Sequence, residues 1–326
     1  MEMKTELIRE EGYEASMQDT VLPYDRQRRE KGTMERRPGE KLVYEHYRAD
    51  AEKAAVVLVH GFSESIRKYR ESVYYFLREG YSVWLLQQRS HGASFRPVPE
   101  DPSLIEIADF RDLVEDLHFF VHEIVMPGSP AGKPLYLFGH SMGGGVGACY
   151  LETYPEDFDK AVLSSPMLDL DSGGTPAWVL VLYARLMHLV GRGTRYLPGA
   201  QPFSDQPDFE NSCTNSRARY DSYFRVMLQH RDMQTSASSL DTAYSFLKLT
   251  RFAREKKNVD RIRARVCMMQ AGKDGLVPPE GQNDFMEKLG ARGKKIVIPE
   301  AKHEIYRCSD RDMAQYWPAV FAFLES

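Results

Sequence analysis

Short apolar runs alternate with amphipathic stretches along most of the chain. Ala54 to His60, Tyr81 to Leu86 and Leu135 to Phe138 are continuous apolar runs of strand length, as are Ala161 to Ser165, which Pro166 ends, Val266 to Gln270 and Lys295 to Ile298. Between them, Arg67 to Arg78, Ile105 to Val125, Leu240 to Lys256, Pro279 to Leu289 and Arg311 to Leu324 carry apolar residues at helical spacing. Thr33 to Arg37, then Pro38-Gly39, then Lys41 to Tyr47 predicts a hairpin with a proline-glycine turn. Repeated strand–helix units imply an α/β fold with a mostly parallel central sheet and helices on both faces. Residues 1–32 are charged and irregular, and predict an N-terminal extension packed on this core. The alternation stops after Pro166. Residues 167–234 are rich in proline and glycine and contain one strongly apolar stretch, Trp178 to Val190. They predict an inserted helical cap, which divides the core into residues 33–166 and 235–326.

Composition narrows the setting. The chain has 326 residues, 42% of them hydrophobic, enough for a sizeable core, and a formal net charge of −4 without long blocks of one sign. No nucleic-acid surface is expected. The polar start, Met1 to Glu6, predicts no secretory leader, and the longest apolar run is too short and too interrupted to span a bilayer. Cys149, Cys213, Cys267 and Cys308 lack metal-type spacing. They read as free thiols in a reducing compartment, so a cytoplasmic location is expected.

The chemistry concentrates at Leu135-Tyr136-Leu137-Phe138-Gly139-His140-Ser141-Met142-Gly143-Gly144-Gly145. An apolar strand runs into Gly-x-Ser-x-Gly, and a small-residue helix follows. At such a turn only glycine fits beside the serine, and the hydroxyl is pushed out above the sheet at a helix N-terminus that favours negative charge. The pentapeptide alone arises by chance in roughly one chain in ten of this size; its strand–helix setting is what carries weight. A serine hydroxyl needs a base, and the base needs an orienting carboxylate. Reactive groups in open α/β sheets gather at the carboxyl ends of strands. Asp274 follows the strand ending at Gln270, and His303 follows the strand ending at Ile298. Ser141, Asp274 and His303 are therefore the catalytic candidates, with Asp169 and Asp171 as alternative acids on the preceding loop. The strand Val56 to Val59 ends in His60-Gly61-Phe62, so the backbone N–H of Phe62 and that of Met142 are the candidate oxyanion donors. His60, Gly61 and His140 are candidate supporting residues.

These motifs, together with Ser164-Ser165-Pro166, Gly272-Lys273-Asp274 and Lys302-His303-Glu304, resemble the α/β-hydrolase fold. More narrowly, from about Lys41 to Leu324, the chain resembles the monoacylglycerol lipase and lysophospholipase group. The resemblance implies a serine hydrolase of lipid carboxylic esters that works through an acyl-serine and needs no cofactor. Two stretches depart from that group's usual pattern. His60-Gly61-Phe62-Ser63-Glu64-Ser65 replaces a loop that usually reads His-Gly-x-Gly with Glu-His after it, and Gln87-Gln88-Arg89-Ser90-His91-Gly92-Ala93-Ser94 replaces Asp-x-Arg-Gly-His-Gly-x-Ser. These changes bear on the substrate rather than on the chemistry. An amide or peptide hydrolase with the same triad is the alternative, and a non-catalytic ligand-binding relative is the remote one.

Other features have plainer readings. His118 and His122 stand four apart on a predicted helix with Glu123 adjacent, a spacing that can bind zinc, but no third ligand is nearby and the neighbours Leu117, Phe119, Phe120 and Val121 are apolar. They read as a packed or solvated pair, and no metal is expected. Trp178 to Val190 reads either as a helix packed on both sides or as one that lines an acyl pocket and makes transient contact with a membrane surface. Arginines and acids in the cap nearly cancel, so no headgroup is indicated.

Overall fold

The computed structural model describes residue 3, residues 5–171 and residues 177–326. Eight strands form one sheet: β1 Arg29–Glu35, β2 Lys41–Tyr47, β3 Ala54–Val59, β4 Tyr81–Leu86, β5 Leu135–His140, β6 Lys160–Ser164, β7 Arg265–Ala271 and β8 Gly293–Ile298. Their order across the sheet is β1-β2-β4-β3-β5-β6-β7-β8. The β1–β2 and β2–β4 pairs are antiparallel and the others parallel. The continuous apolar runs are explained by burial on both faces. Ala55, Val57 and Val59 of β3 enter one core, and Ala54, Val56 and Leu58 enter the other. The period of two repeats in β5, where Leu135 and Leu137 oppose Tyr136 and Phe138.

Nine helices are numbered here: α1 (residues 13–28), α2 Arg70–Arg78, α3 Phe110–Phe120, α4 Met142–Thr153, α5 Ala177–Leu189, α6 Arg217–Gln229, α7 Leu240–Ala253, α8 Pro279–Leu289 and α9 Asp310–Glu325. Helices α2 and α9 cover one face through Tyr75, Phe76, Trp317 and Phe321. Helices α3, α4, α7 and α8 cover the other through Leu113, Val146, Leu249 and Phe285. Among its described residues, segment 167–234 contributes α5 and α6 and no strand of the eight-stranded sheet.

Three expectations are corrected. The N-terminal residues are not irregular: residues 13–28 are helical, and Tyr13, Met17 and Val21 are buried against the core. A π turn at Met17–Val21 breaks the helical period. Strand β1 begins at Arg29, earlier than Thr33, because its partner β2 is already in register there, with Arg29 opposite Tyr47. The helix expected from Ile105 starts only at Phe110, where the Asp109 side chain accepts from the N–H of Arg111. Leu104–Ile105 instead pairs with Ala237–Ser238 in a two-strand ladder, so the apolar Ile105 is a strand residue.

Candidate active site

Strands β3, β5, β7 and β8 are parallel, so their carboxyl ends open on one edge of the sheet, and each is followed by a candidate site residue. After β5, Ser141 takes φ 51° and ψ −119°. A non-glycine residue held there costs on the order of 1–3 kcal/mol. Three backbone hydrogen bonds hold it. The Ser141 N–H donates to Ser164 O (3.0 Å), and its carbonyl accepts from Gly145 N (3.0 Å) and Met167 N (2.9 Å). Close approach fixes the flanking glycines. A Cβ on Gly143 would lie 2.1 Å from Val59 O, and one on Gly139 would lie 2.6 Å from Gly143 O. Ser141 remains 9% exposed at the head of α4.

The loops after β7 and β8 are bound to each other. Gly272 N donates to Ile298 O (2.9 Å) and Lys273 N to Ala301 O (3.0 Å). This brings His303 Nδ1 to 2.8 Å from Asp274 Oδ2. The other carboxylate oxygen, Oδ1, accepts from Leu276 N (2.9 Å) and Val277 N (3.0 Å). Burial by itself would raise the Asp274 pKa. The hydrogen bond and charge of His303, with the two N–H donors, outweigh it and hold the carboxyl below its usual range. Asp274 therefore stays ionised and orients the imidazole. His303 Nε2 is buried and has no hydrogen-bond partner among the described residues. It is the nitrogen that a serine proton would need. Asp169 is engaged elsewhere, at 3.1 Å from Arg254, and Asp171 is exposed.

The loop after β3 is tied on both sides of Phe62. Gly61 N donates to Glu64 Oε2 (2.6 Å), and Ser63 N donates to His91 Nε2 (3.2 Å). The N–H of Phe62, between them, is unpaired among the described residues, as is that of Met142 at the first turn of α4. His60 Nε2 accepts from Gln88 N (3.0 Å) and Gln88 Nε2 donates to His60 O (2.6 Å), so His60 locks this loop to the end of β4. Gln87 Nε2 also lies 3.0 Å from that imidazole, and its Oε1 accepts from Ile66 N (3.1 Å). The unusual Gln87-Gln88 pair is thus a structural brace. His140 Nδ1 donates to Ser164 O (3.1 Å), and its ring packs 4.9 Å from His303. Burial lowers the pKa of both His60 and His140 to about 4, so both are neutral at pH 7.

One group escaped sequence reasoning. Glu64 is buried and accepts from Gly61 N, Tyr69 OH and Tyr306 OH; Lys68 Nζ sits 2.9 Å away and also bonds Glu304 (2.5 Å), which in turn pairs with Arg307 (3.0 Å). This chain joins the candidate oxyanion loop to the residue after His303. The signal in the sequence was the i, i+4 spacing of Glu64 and Lys68, but partners as distant as Glu304 have no local signature.

This strand order, with a serine at the β5–α4 turn and a histidine–carboxylate pair on the loops after β7 and β8, makes the protein an enzyme of the α/β-hydrolase class, a hydrolase. The chain belongs to the family described as "Serine aminopeptidase, S33", which it matches over residues 50–310. It is 28% identical over 270 residues to a probable lysophospholipase L2 of Haemophilus influenzae, covering 81% of this chain and 82% of that one. It is 30% identical over 156 residues to a monoacylglycerol lipase of Mycolicibacterium smegmatis, covering 48% of this chain and 52% of that one. A soluble variant of monoglyceride lipase from Saccharomyces cerevisiae, solved with a substrate analogue, superposes with a TM-score of 0.73 at 19% identity, over 91% of this chain and 95% of that one, a likeness of fold. Among the described residues no helix is long and apolar enough to cross a membrane.

Proposed function

We propose that this protein hydrolyses the carboxylic esters of lipids through an acyl-serine. The observation that carries the chemistry is the buried His303–Asp274 pair with its free Nε2, on loops beside the strained Ser141. Ser141 attacks the ester carbonyl and His303 Nε2 takes its proton. Asp274 orients the ring and stabilises the imidazolium. The N–H groups of Phe62 and Met142 hold the oxyanion; one such donor is worth on the order of 10²–10³ in turnover. His303 returns the proton to the leaving alcohol, and water, activated the same way, releases the acid. The lipid assignment rests on the lysophospholipase and monoacylglycerol lipase relatives.

We further propose that segment 167–234 is the cap over the site, and that α5 makes transient contact with a lipid surface. Ala184 of α5 is buried, while Leu182 (62%), Leu186 and Leu189 (81%) are exposed, which argues against a helix packed on both sides. The family's description names an aminopeptidase, so an amide substrate is the competing reading. The test is direct. A fluorophosphonate probe adds once, at Ser141, and Ser141→Ala loses labelling and on the order of 10⁶ in turnover. Wild-type enzyme cleaves p-nitrophenyl esters and leaves aminoacyl-arylamides intact. Labelling at another serine overturns the site, and preferred arylamide cleavage overturns the ester reading.

A further inference from the structure

In the sequence His118 and His122 read as a pair without a third ligand, but the fold brings one to them. Asp157, on the turn after α4, comes to 3.0 Å from His122 Nε2 and 3.6 Å from His118 Nδ1, and the three candidate ligand atoms all lie within 4.8 Å of one another. In a tetrahedral site with metal–ligand bonds of 2.0–2.2 Å, neighbouring ligand atoms stand about 3.3 Å apart. The two distances to Asp157 bracket that value, and the side chains can converge on one ion by rotamer adjustment.

The supporting groups are those that a metal site uses. Tyr150 OH donates to Asp157 Oδ2 (2.6 Å), the same oxygen that faces both imidazoles, and lies 3.3 Å from His118 Nδ1, so it fixes the carboxylate against the two rings. The His118 ring stacks on Tyr154 at 3.6 Å and 6°, and Tyr154 OH is itself tied to Glu115 (2.8 Å), so one ligand's plane is set in advance. Partners that orient ligands in this way commonly matter by 10–100-fold in affinity. His122 sits in a π turn, Val121–Val125, that continues α3; such turns recur at functional sites. The cluster is partly exposed, so an ion can enter and water can complete the coordination.

We propose that His118 Nδ1, His122 Nε2 and Asp157 bind a Zn²⁺-class transition-metal ion that staples α3 to the turn after α4. Two imidazoles and one carboxylate suit Zn²⁺, and disfavour Mg²⁺ and Ca²⁺, which take oxygen ligands. Tyr150 is nine residues beyond Ser141 on α4, ~13 Å along its axis. The site is therefore apart from the hydrolytic machinery, and its role is to brace the helix that presents Ser141.

The test uses the full chain, stripped with a chelator and titrated calorimetrically with Zn²⁺, with Co²⁺ as a visible-absorption probe. Expected are one Zn²⁺ per chain, a raised thermal midpoint with the metal, and ~10-fold or greater loss of affinity in His122→Gln and in Asp157→Asn. Tyr150→Phe, which keeps the buried ring, weakens Zn²⁺ by ~10-fold. Far-ultraviolet circular dichroism and hydrolysis of a short ester by the metal-free variants establish that they are folded. Absence of Zn²⁺ and Co²⁺ binding, unchanged affinity in His122→Gln and Asp157→Asn, or equal binding of Mg²⁺ or Ca²⁺ overturns the proposal and leaves an ordinary histidine–aspartate ion pair.

Discussion

Asp274 illustrates how a side chain's role follows from what each of its oxygens touches. One oxygen is held by two backbone N–H groups and the other by His303. Asp274→Asn keeps the shape but can present an N–H to Nδ1, which favours the wrong imidazole tautomer, so turnover is expected to fall by roughly 10⁴. Asp169→Asn, which disturbs the pair with Arg254 and the bond from Leu170 N, is expected to leave steady-state turnover nearly unchanged; a comparable loss in both would reassign the acid. The placement of Ser141, Asp274 and His303 at one edge of the sheet was legible in the sequence because each follows an apolar run. That of Glu64, Lys68 and Asp157 was not, because a decisive partner of each (Tyr306, Glu304 and His118) is distant in sequence. Glu106 gives a pH-dependent case. Burial raises its pKa to about 7, one of its oxygens has no hydrogen-bond partner, and Asp241 adds repulsion. Since its folded pKa lies above its unfolded value near 4.5, the stability it allows is complete below about pH 4.5 and is lost as pH rises through 7. Relative to wild type, Glu106→Gln should therefore gain at least about 1 kcal/mol between pH 5 and pH 8, read as a thermal-midpoint gap that widens with pH. A gap that stays constant would mean that the buried charge costs nothing.

Secondary structure was most legible where burial imposes one period. Strands β3, β5 and β7 lie inside both cores, and their apolar runs have no competing reading as helices once the flanking turns are counted. Helix α1 was missed because its π turn and Pro23 disrupt the 3.6-residue repeat. Helix α5 was found as an apolar stretch, but an apolar sequence without a polar face carries no information about which side is covered. The structure supplies it. An open groove of about 550 Å³ beside α5 and α7 is lined by the exposed Leu182, Leu186 and Leu189 together with Arg185, Tyr244 and Lys248, and His188 of α5 lies 3.0 Å from Asp241 of α7. If the leucines of this groove receive the acyl chain, each methylene buried adds up to about 0.8 kcal/mol, roughly fourfold in affinity. Leu182→Asp should then depress kcat/KM for octanoate and longer esters far more than for acetate. Equal slowing at all chain lengths would remove α5 from substrate selection.

How the parts are held together centres on Arg219 of α6, whose side chain is fully buried. Its guanidinium meets Glu71 of α2 at 3.0 Å, Asp310 at the start of α9 at 3.2 Å, Cys308 O at 3.2 Å and Ile8 O of the N-terminal segment at 2.7 Å. Tyr13 of α1 closes the cluster by donating to Glu71 (2.9 Å). One cation thus joins the N-terminal segment, the segment carrying α6 and both helices on one face of the sheet. The sequence offered no sign of this, since the contributing residues are spread from position 8 to position 310. The arrangement has an asymmetric consequence. Arg219→Ala leaves Glu71 and its neighbours buried without a counter-charge and should cost about 3–5 kcal/mol in urea unfolding. Replacing Arg219 together with its buried partner, as in Arg219→Met with Glu71→Leu, leaves only the part-exposed Asp310 unpaired and should recover much of that loss, because burying an ion pair contributes little net stability over apolar side chains of similar volume. The urea midpoint of the double variant should therefore lie above that of Arg219→Ala. If instead the double variant is the less stable of the two, Arg219 acts mainly through its bonds to the carbonyls of Ile8 and Cys308, and the N-terminal segment, not Glu71, is the partner that matters.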